Sequence, residues 1–541
     1  MKEELFTEKD RAIFQLAGIE PAEITEQLTK LRSKQNNVKV VKACRLNEGI
    51  TLSVNSENLI SIAEEYLKRK PRLINFVPAS GAASRMFASL ISAKNSFAFD
   101  SLNKAEEFAL KCNATAKILG DLKIFFKSLE IAPFKNELYK LYKNNFSEDL
   151  SSLSLENFFK NERFKKIIEL LTDENGLNYL NTPKGLLPFH LYPKANKART
   201  AFEEHLRMGA QFIAGFGGVA AFHFTISDEH IQQFKEQSQH SLATVKEEFG
   251  VSLEISYSNQ KRSTDTISII AETGEILRDQ AGAVILRQGG HGALLENLNL
   301  LDADKVYIRN IDNVAPQQVA EKTLKSRKIL LGSLLEAKKI VFENAKLLDS
   351  NEIISPENLS LLRKNLEKTL NFQISENLWQ TAEESQRRKL LLEKLNRPIR
   401  VCGVVKNQGQ PGGAPYWVSE SDGSMSVQLV EASEIDLNNP EQHKIFQSSS
   451  HFNPVDIICS LRNYKGEKFN LSLYIDKTRF FRSKKITSSG IEHFILEHPG
   501  LWNGSMSNWI TLFVEIDGDT FWPCKTIFDL LDKRRIDYCR S

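Results

Sequence analysis

Asn75-Phe-Val-Pro-Ala-Ser-Gly-Ala-Ala-Ser-Arg-Met86 is the stretch on which the reading of this chain turns. An apolar run ends in a turn of very small residues, and an arginine follows. Glycine and alanine let backbone N–H groups approach a ligand closely, and a helix starting after the turn adds partial positive charge. Ser80, Gly81, Ala82, Ala83 and Ser84 are therefore expected to cradle a phosphate, with Arg85 supplying a planar, permanently charged set of donors. A small-residue turn between strand and helix also serves ordinary α/β packing, so its meaning rests on the segments downstream.

Working outward, 541 residues exceed one core and suggest two to four domains. The composition is globular, 41% hydrophobic and 26% charged, with a net charge of +3. Such a balance argues against a general nucleic-acid binder, which carries a basic excess. The first residues, Met-Lys-Glu-Glu-Leu, do not read as a secretory signal, and no apolar run reaches membrane-span length. Six cysteines stand singly, without a Cys-x-x-Cys pair, so neither a zinc site nor a disulfide framework is indicated. A reduced, cytoplasmic protein is expected.

Residues 1–70 read as mainly helical. Pro71 and the apolar run 73–77 open an α/β domain over 71–316, interrupted by an amphipathic helical insertion at 87–180. Alternating strand and helix patterns follow: strands near 220–226, 253–257, 284–286 and 306–311, helices near 201–208, 231–248 and 293–300. A helical segment spans 317–395, and short β-like runs divided by Gly, Pro, Asn and Ser fill an α+β region at 396–541. The pattern predicts an α/β fold, a mixed sheet flanked by helices, with a helical insertion and a β-rich C-terminal region.

Four further segments carry chemistry. In Thr182-Pro-Lys-Gly-Leu-Leu-Pro-Phe-His190, proline and glycine hold Lys184 on a constrained loop, where it can bring a point charge to a phosphate oxygen. Tyr257-Ser-Asn-Gln260 ends a strand in amides, and Gln260 offers a paired donor and acceptor to a base or sugar edge. Leu286-Arg-Gln-Gly-Gly-His-Gly-Ala-Leu-Leu-Glu-Asn297 surrounds His291 with Gly289, Gly290 and Gly292, a second close-approach loop before a helix. Val306-Tyr-Ile-Arg-Asn-Ile-Asp-Asn313 ends in a carboxylate, and Asp312 is the expected magnesium ligand. Each feature has a plain structural alternative (a surface turn, a polar strand end, a glycine-rich linker, a turn-forming Asp), and their company gives them weight. Later in the chain, the Gly/Pro-rich loop after Lys406 suits a sugar or phosphate. The turn Ser448-Ser-Ser-His-Phe-Asn-Pro-Val-Asp456 is polar and proline-restrained, with His451 read as structural.

Taken in order, these segments resemble the nucleotide-sugar pyrophosphorylases, particularly the UDP-N-acetylglucosamine and UDP-sugar pyrophosphorylase branch. The matching residues are Gly81 to Arg85, Pro183 to Gly185, Gln260, Gly289 to Gly292 and Asp312-Asn313, and the family likeness covers about 75–315. The whole sequence is more similar still to an uncharacterised bacterial family of unknown function, DUF4301-like. The resemblance implies a GT-A-like (Rossmann-like) nucleotide-diphospho-sugar transferase fold. It implies magnesium as cofactor, with Asn453 or Asp456 as a second metal ligand beside Asp312, and a nucleoside triphosphate of uridine type and a sugar 1-phosphate as partners. Arg85 and Lys184 would be catalytic, the loops at 80–84 and 289–292 and Gln260 would hold the nucleotide, and Lys406 would reach the sugar phosphate. Neither nucleic acid nor membrane is an expected partner. The sequence departs from the pattern at Ala83 and Ser84, which replace Gly and Thr, and at His291, which replaces Asn. An extra methyl at Ala83 is expected to crowd the triphosphate or to shift which phosphate is held. The leading expectation is a sugar-1-phosphate nucleotidyltransferase; a GT-A-type glycosyltransferase using Asn310-Ile-Asp312 and a non-catalytic nucleotide-sugar-binding protein are its rivals.

Overall fold

Short apolar runs such as Val306-Tyr-Ile and Ile457-Ile-Cys become strands buried along their whole length, as happens where both faces of a sheet are covered. They belong to a mixed α/β protein, seen in a computed structural model that describes residues 5–33, 37–52, 56–81, 83–409, 412–487 and 490–540. The chain visits two units in turn. The first comprises Met1–Phe76, Ser256–Arg309 and Lys325–Gly518; the second comprises Val77–Ile255, Asn310–Leu324 and Asp519–Ser541.

In the first unit the main sheet runs in the order Arg45–Leu46, Gly49–Thr51, Ile510–Glu515, Ile399–Lys406, Asp456–Ser460, Lys305–Arg309, Leu73–Pro78, the last strand leaving the unit after Phe76. Asp456–Ser460 is antiparallel to both its neighbours, while Lys305–Arg309 pairs in parallel with Leu73–Pro78. Two four-stranded sheets flank it in sequence. One is Val40–Ala43, Ala414–Ser419, Met425–Val430 and Phe372–Gln373; the other is Leu286–Gln288, Asp265–Ile270, Glu492–Glu497 and Phe481–Ile486. Helices Glu8–Ala17 and Pro21–Arg32 cover the latter through Phe14, Ile24, Leu28 and Leu31 against Ile267, Ile269 and Leu496. The segment 317–395 supplies the long helix Ala320–Asp349 and the helices Pro356–Leu370, Glu376–Thr381 and Glu384–Leu395.

The second unit holds the buried strand Val219–Thr225, the hairpin Pro188–Tyr192 with Lys197–Thr200, and most of the helices. Helix Ala201–Ile213 starts where Thr200 Oγ1 accepts from Glu203 N at 3.1 Å, a cap worth about 1 kcal/mol. Phe202 joins this helix to the strand and to helix Ile231–Phe249, with ring centroids 4.7 Å from Phe224 and 5.2 Å from Phe234. Residues 87–180 are helical, without a strand among the described residues, and bury a cluster of Phe97, Phe158, Phe159 and Phe164. No helix among the described residues is long and apolar enough to cross a membrane, and the six cysteines are free.

Candidate functional site

The first loop opens where strand Leu73–Pro78 ends. Ala79 is buried, and its N–H donates to Thr225 O at 2.8 Å, so the turn is tied to the central strand of its unit. Ser80, Gly81, Ser84 and Arg85 are exposed, and a Cβ built on Gly81 would meet open space. Ala82 lies outside the described residues. Ala83 corrects an expectation: it is fully buried, so its methyl points into packing and does not crowd the open side of the loop. Ala83–Arg85 forms a 3-10 turn, and helix Ala88–Ser96 follows. Arg85 forms no hydrogen bond or ion pair with any described residue, and its guanidinium is available to an anion.

Lys184 is placed by its neighbours. Pro183, with φ −56°, leads into the 3-10 turn Lys184–Leu186. Gly185 is buried where any Cβ would stand 3.0 Å from Ile311 Cγ1 and 3.2 Å from Phe234 Cζ. The lysine therefore stands beside the residue that precedes Asp312. Its backbone N–H donates to Gly81 O at 3.2 Å, which joins the first loop to the second. Its Nζ donates to Asp312 Oδ2 at 3.0 Å and to Cys524 O at 3.0 Å.

Asp312 carries a second cation that the sequence reading missed. Lys525 Nζ donates to both carboxylate oxygens, at 3.2 and 2.9 Å. The two lysines differ in exposure: the Lys184 side chain is 13% exposed and that of Lys525 is 61% exposed. Burial alone would push the Asp312 carboxyl up, but the charges and hydrogen bonds of the two ammonium groups outweigh it and hold the carboxyl below its ordinary value. Two ammonium groups on one carboxylate leave a surplus positive charge at the mouth of this cluster. The surrounding backbone is braced: Cys524 N donates to Asp312 O at 3.0 Å, Ile527 N to Met86 O at 2.9 Å, and Trp522 N to Asn313 Oδ1 at 2.9 Å. Asp529 does not compete for the lysine ammonium, because its Oδ2 accepts from the N–H groups of Lys525 and Thr526 at 2.8 and 2.7 Å.

The expected metal set is corrected. Asp456 is fully buried within its strand, where it accepts from the Tyr307 hydroxyl and lies 3.7 Å from Arg309 Nη2. Asn453 spends both ends of its amide on backbone, Nδ2 to Gly403 O at 2.6 Å and Oδ1 from Val455 N at 3.0 Å. Both oxygens of Asp312 are occupied by lysines. No group of three or more His, Cys, Asp or Glu residues able to hold a metal occurs among the described residues. These donors do not fit a resident magnesium site built from Asp312, Asn453 and Asp456.

The remaining expected residues lie in the first unit. Gln260 follows strand Ser252–Ser258, and its Nε2 is buried without a hydrogen-bond partner among the described residues. The glycine loop has a packing reason. A Cβ on Gly289 would stand 2.4 Å from His498 Cδ2, and one on Gly292 would stand 2.1 Å from Pro499 O. Gly290, at φ +75°, would press a Cβ to 2.8 Å from Glu497 Oε2. The close approach these glycines permit is to residues 497–499 of the chain itself. His291 is likewise engaged, its Nδ1 accepting from Leu501 N at 3.2 Å and its ring 4.6 Å from that of Trp502. Lys406 ends its strand exposed, in register with His451, and its side chain makes no hydrogen bond or ion pair with a described residue. His451 bonds Ser450 Oγ at 2.8 Å and Glu515 Oε1 at 3.2 Å, the structural role expected of it.

Fold and site together describe an α/β protein with a cationic, glycine-flanked cluster at loop ends. The chain belongs to the family described as a domain of unknown function (DUF4301), whose model matches residues 7–535. No curated protein matches it. Among solved structures it is similar to a mutant UDP-glucose pyrophosphorylase from Leishmania major in complex with UDP-glucose, at 10% identity and a TM-score of 0.42, covering 96% of this chain and 77% of that one. It is also similar to the uridine diphosphate N-acetylglucosamine pyrophosphorylase from Trypanosoma brucei in complex with inhibitor, at 12% identity and a TM-score of 0.42, over 97% of this chain and 79% of that one. A UDP-glucose phosphorylase from Trypanosoma brucei matches at 12% identity with a TM-score of 0.42, over 96% and 77%.

Proposed function

We propose that the protein is a sugar-1-phosphate nucleotidyltransferase of GT-A-like fold, joining a nucleoside triphosphate to a sugar 1-phosphate with release of pyrophosphate. The observation that carries the reading is the sharing of Asp312 by Lys184 and Lys525, with Lys184 bonded through its backbone to Gly81. An oxygen of the sugar phosphate attacks the α-phosphorus, the bond to the β-phosphate oxygen breaks, and pyrophosphate leaves; no covalent enzyme intermediate is needed. The chain's part is positioning and charge stabilisation. Asp312 holds the two ammonium groups apart and oriented, so that a phosphate entering beside them finds fixed donors. Arg85 and the N–H groups of Ser80, Gly81 and Ser84, in the same unit as the lysines, take the far phosphates. Magnesium enters this reading as the counter-ion of the triphosphate substrate. A cytoplasmic setting, where such triphosphates are supplied, goes with it. A glycosyltransferase reading would need Asn310-Ile-Asp312 to hold a metal, and the lysines on Asp312 disfavour it.

The test is pyrophosphate release from each nucleoside triphosphate with magnesium and a panel of sugar 1-phosphates. Release that disappears in Lys184→Ala and Asp312→Ala supports the reading. Tight nucleotide binding without release in any pairing sinks it in favour of a binding protein.

A further inference from the structure

Arg535 is only 3% exposed, yet it forms no ion pair with a described carboxylate. Its five donors are spent otherwise. Nε donates to Asp529 O at 3.2 Å, Nη1 to His190 Nε2 at 2.6 Å and Val314 O at 3.4 Å, and Nη2 to Trp522 O at 3.0 Å and Pro523 O at 3.3 Å. A guanidinium can only donate, so His190 Nε2 is the acceptor. The ring proton therefore sits on Nδ1 and is donated to Glu204 Oε1 at 2.8 Å. Tyr192 donates its hydroxyl to the same oxygen at 2.7 Å. The charge of Arg535 is thus balanced by Glu204 through a neutral, fully buried imidazole.

The two carbonyls held by Nη2 belong to Trp522 and Pro523, the dipeptide that leads into Cys524 and then Lys525. Cys524 in turn bonds Asp312 O through its N–H and Lys184 Nζ through its carbonyl, each at 3.0 Å. An unbroken chain of hydrogen bonds therefore runs from Glu204 through His190 and Arg535 to the backbone that carries the exposed lysine. We propose that Arg535, oriented by His190 and Glu204, is a positioning residue that sets Lys525 against Asp312. A 1 Å error in placing a charge at a reacting phosphate costs about 100-fold in rate. Arg534 and Tyr538 of the C-terminal helix Lys533–Arg540 touch the Trp522 ring, while Arg535 holds the backbone carbonyls of Trp522 and Pro523. The proposal rests on the nucleotidyltransferase reading for its consequence in rate, but the linkage itself is read without it.

The experiment uses the full chain. Arg535→Ala is expected to lower kcat for pyrophosphate release about 100-fold, with KM for the triphosphate changed far less. A cavity of about 200 Å³ borders His190, Arg535, Ile536 and Cys539, which gives added guanidinium a way to the vacated place, and it is expected to restore most of the rate. The double variant with Lys525→Ala is expected to be no slower than Lys525→Ala alone, since both act through one group. Lys533→Ala, an exposed neighbour on the same helix, leaves the rate unchanged. If Arg535→Ala folds poorly, amide hydrogen exchange on Arg535→Lys decides: residues 524–527 exchange faster while helix Ala201–Ile213 does not. Full activity of a folded Arg535→Ala, additive losses in the double variant, or rescue of stability by guanidinium without rescue of rate each overturn the proposal. Should the wild type release no pyrophosphate at all, the nucleotidyltransferase reading falls and the exchange result alone judges the linkage: unchanged exchange at 524–527 rejects it.

Discussion

Lys525→Ala separates a structural from a functional lysine on the same carboxylate. Its side chain is 61% exposed, so its ion pair with Asp312 belongs to the solvated kind worth about 0–1 kcal/mol of stability. Asp312 keeps Lys184, and the variant should melt within a few degrees of the wild type. Its effect on a bound phosphate is different. A unit charge about 4 Å away at an effective dielectric constant of about 20 is worth about 4 kcal/mol, and loss of one fixed donor to a developing charge costs about 100- to 1,000-fold in kcat. The two routes agree. Lys184→Met is the counterpart: its side chain is 13% exposed and its removal strips a buried pair, for about 3 kcal/mol of stability. The assay is pyrophosphate release under saturating substrates, alongside thermal unfolding of each variant. A Lys525→Ala protein that turns over within twofold of an active wild type refutes the argument, as does one that unfolds with Lys184→Met.

Gly81→Ala is expected to leave stability unchanged, because the added methyl meets open space, while weakening triphosphate binding measured by calorimetry. Gly185→Ala is expected to behave in the opposite order, costing about 1–3 kcal/mol in chemical denaturation as Ile311 and Phe234 give way. Asp456→Asn should destabilise the protein by about 3 kcal/mol, leaving the buried Arg309 without this counter-charge, without altering the magnesium concentration that supports half-maximal activity. Burial lowers the His223 pKa to about 4, so below the ordinary value of 6.5 the unfolded chain binds a proton that the folded one refuses. Stability then falls as pH drops, by about 2 kcal/mol at pH 5, and levels off near pH 4; His223→Gln should flatten that part of an unfolding-versus-pH series.

Much of the local structure was legible because it is set by neighbours in sequence. The apolar run at 73–77 is a strand, that at 306–311 is a strand only as far as Arg309, the patterns at 201–208 and 231–248 are helices, and 87–180 and most of 317–395 are helical. Pro183 and Gly185 constrain Lys184 as their backbone preferences require. The strand that becomes Leu286–Gln288 lies two residues later than expected, because Val284 makes only an isolated bridge to Arg278.

What the sequence by itself determined is where small residues, a held lysine and a terminal carboxylate occur: steric freedom, fixed φ and charge are properties of single residues and short windows. What only the tertiary structure decided is who meets whom. Lys525 lies 213 residues from Asp312, and no periodicity ties the two together. Glycines at 289–292 look the same in sequence whether a ligand or another strand comes close, and here residues 497–499 do. Ala83 and Asp456 carry a methyl and a carboxylate whose direction, inward in both cases, follows from packing alone. Long-range contacts are chosen by the shape and burial of the whole core, and no local window contains that information.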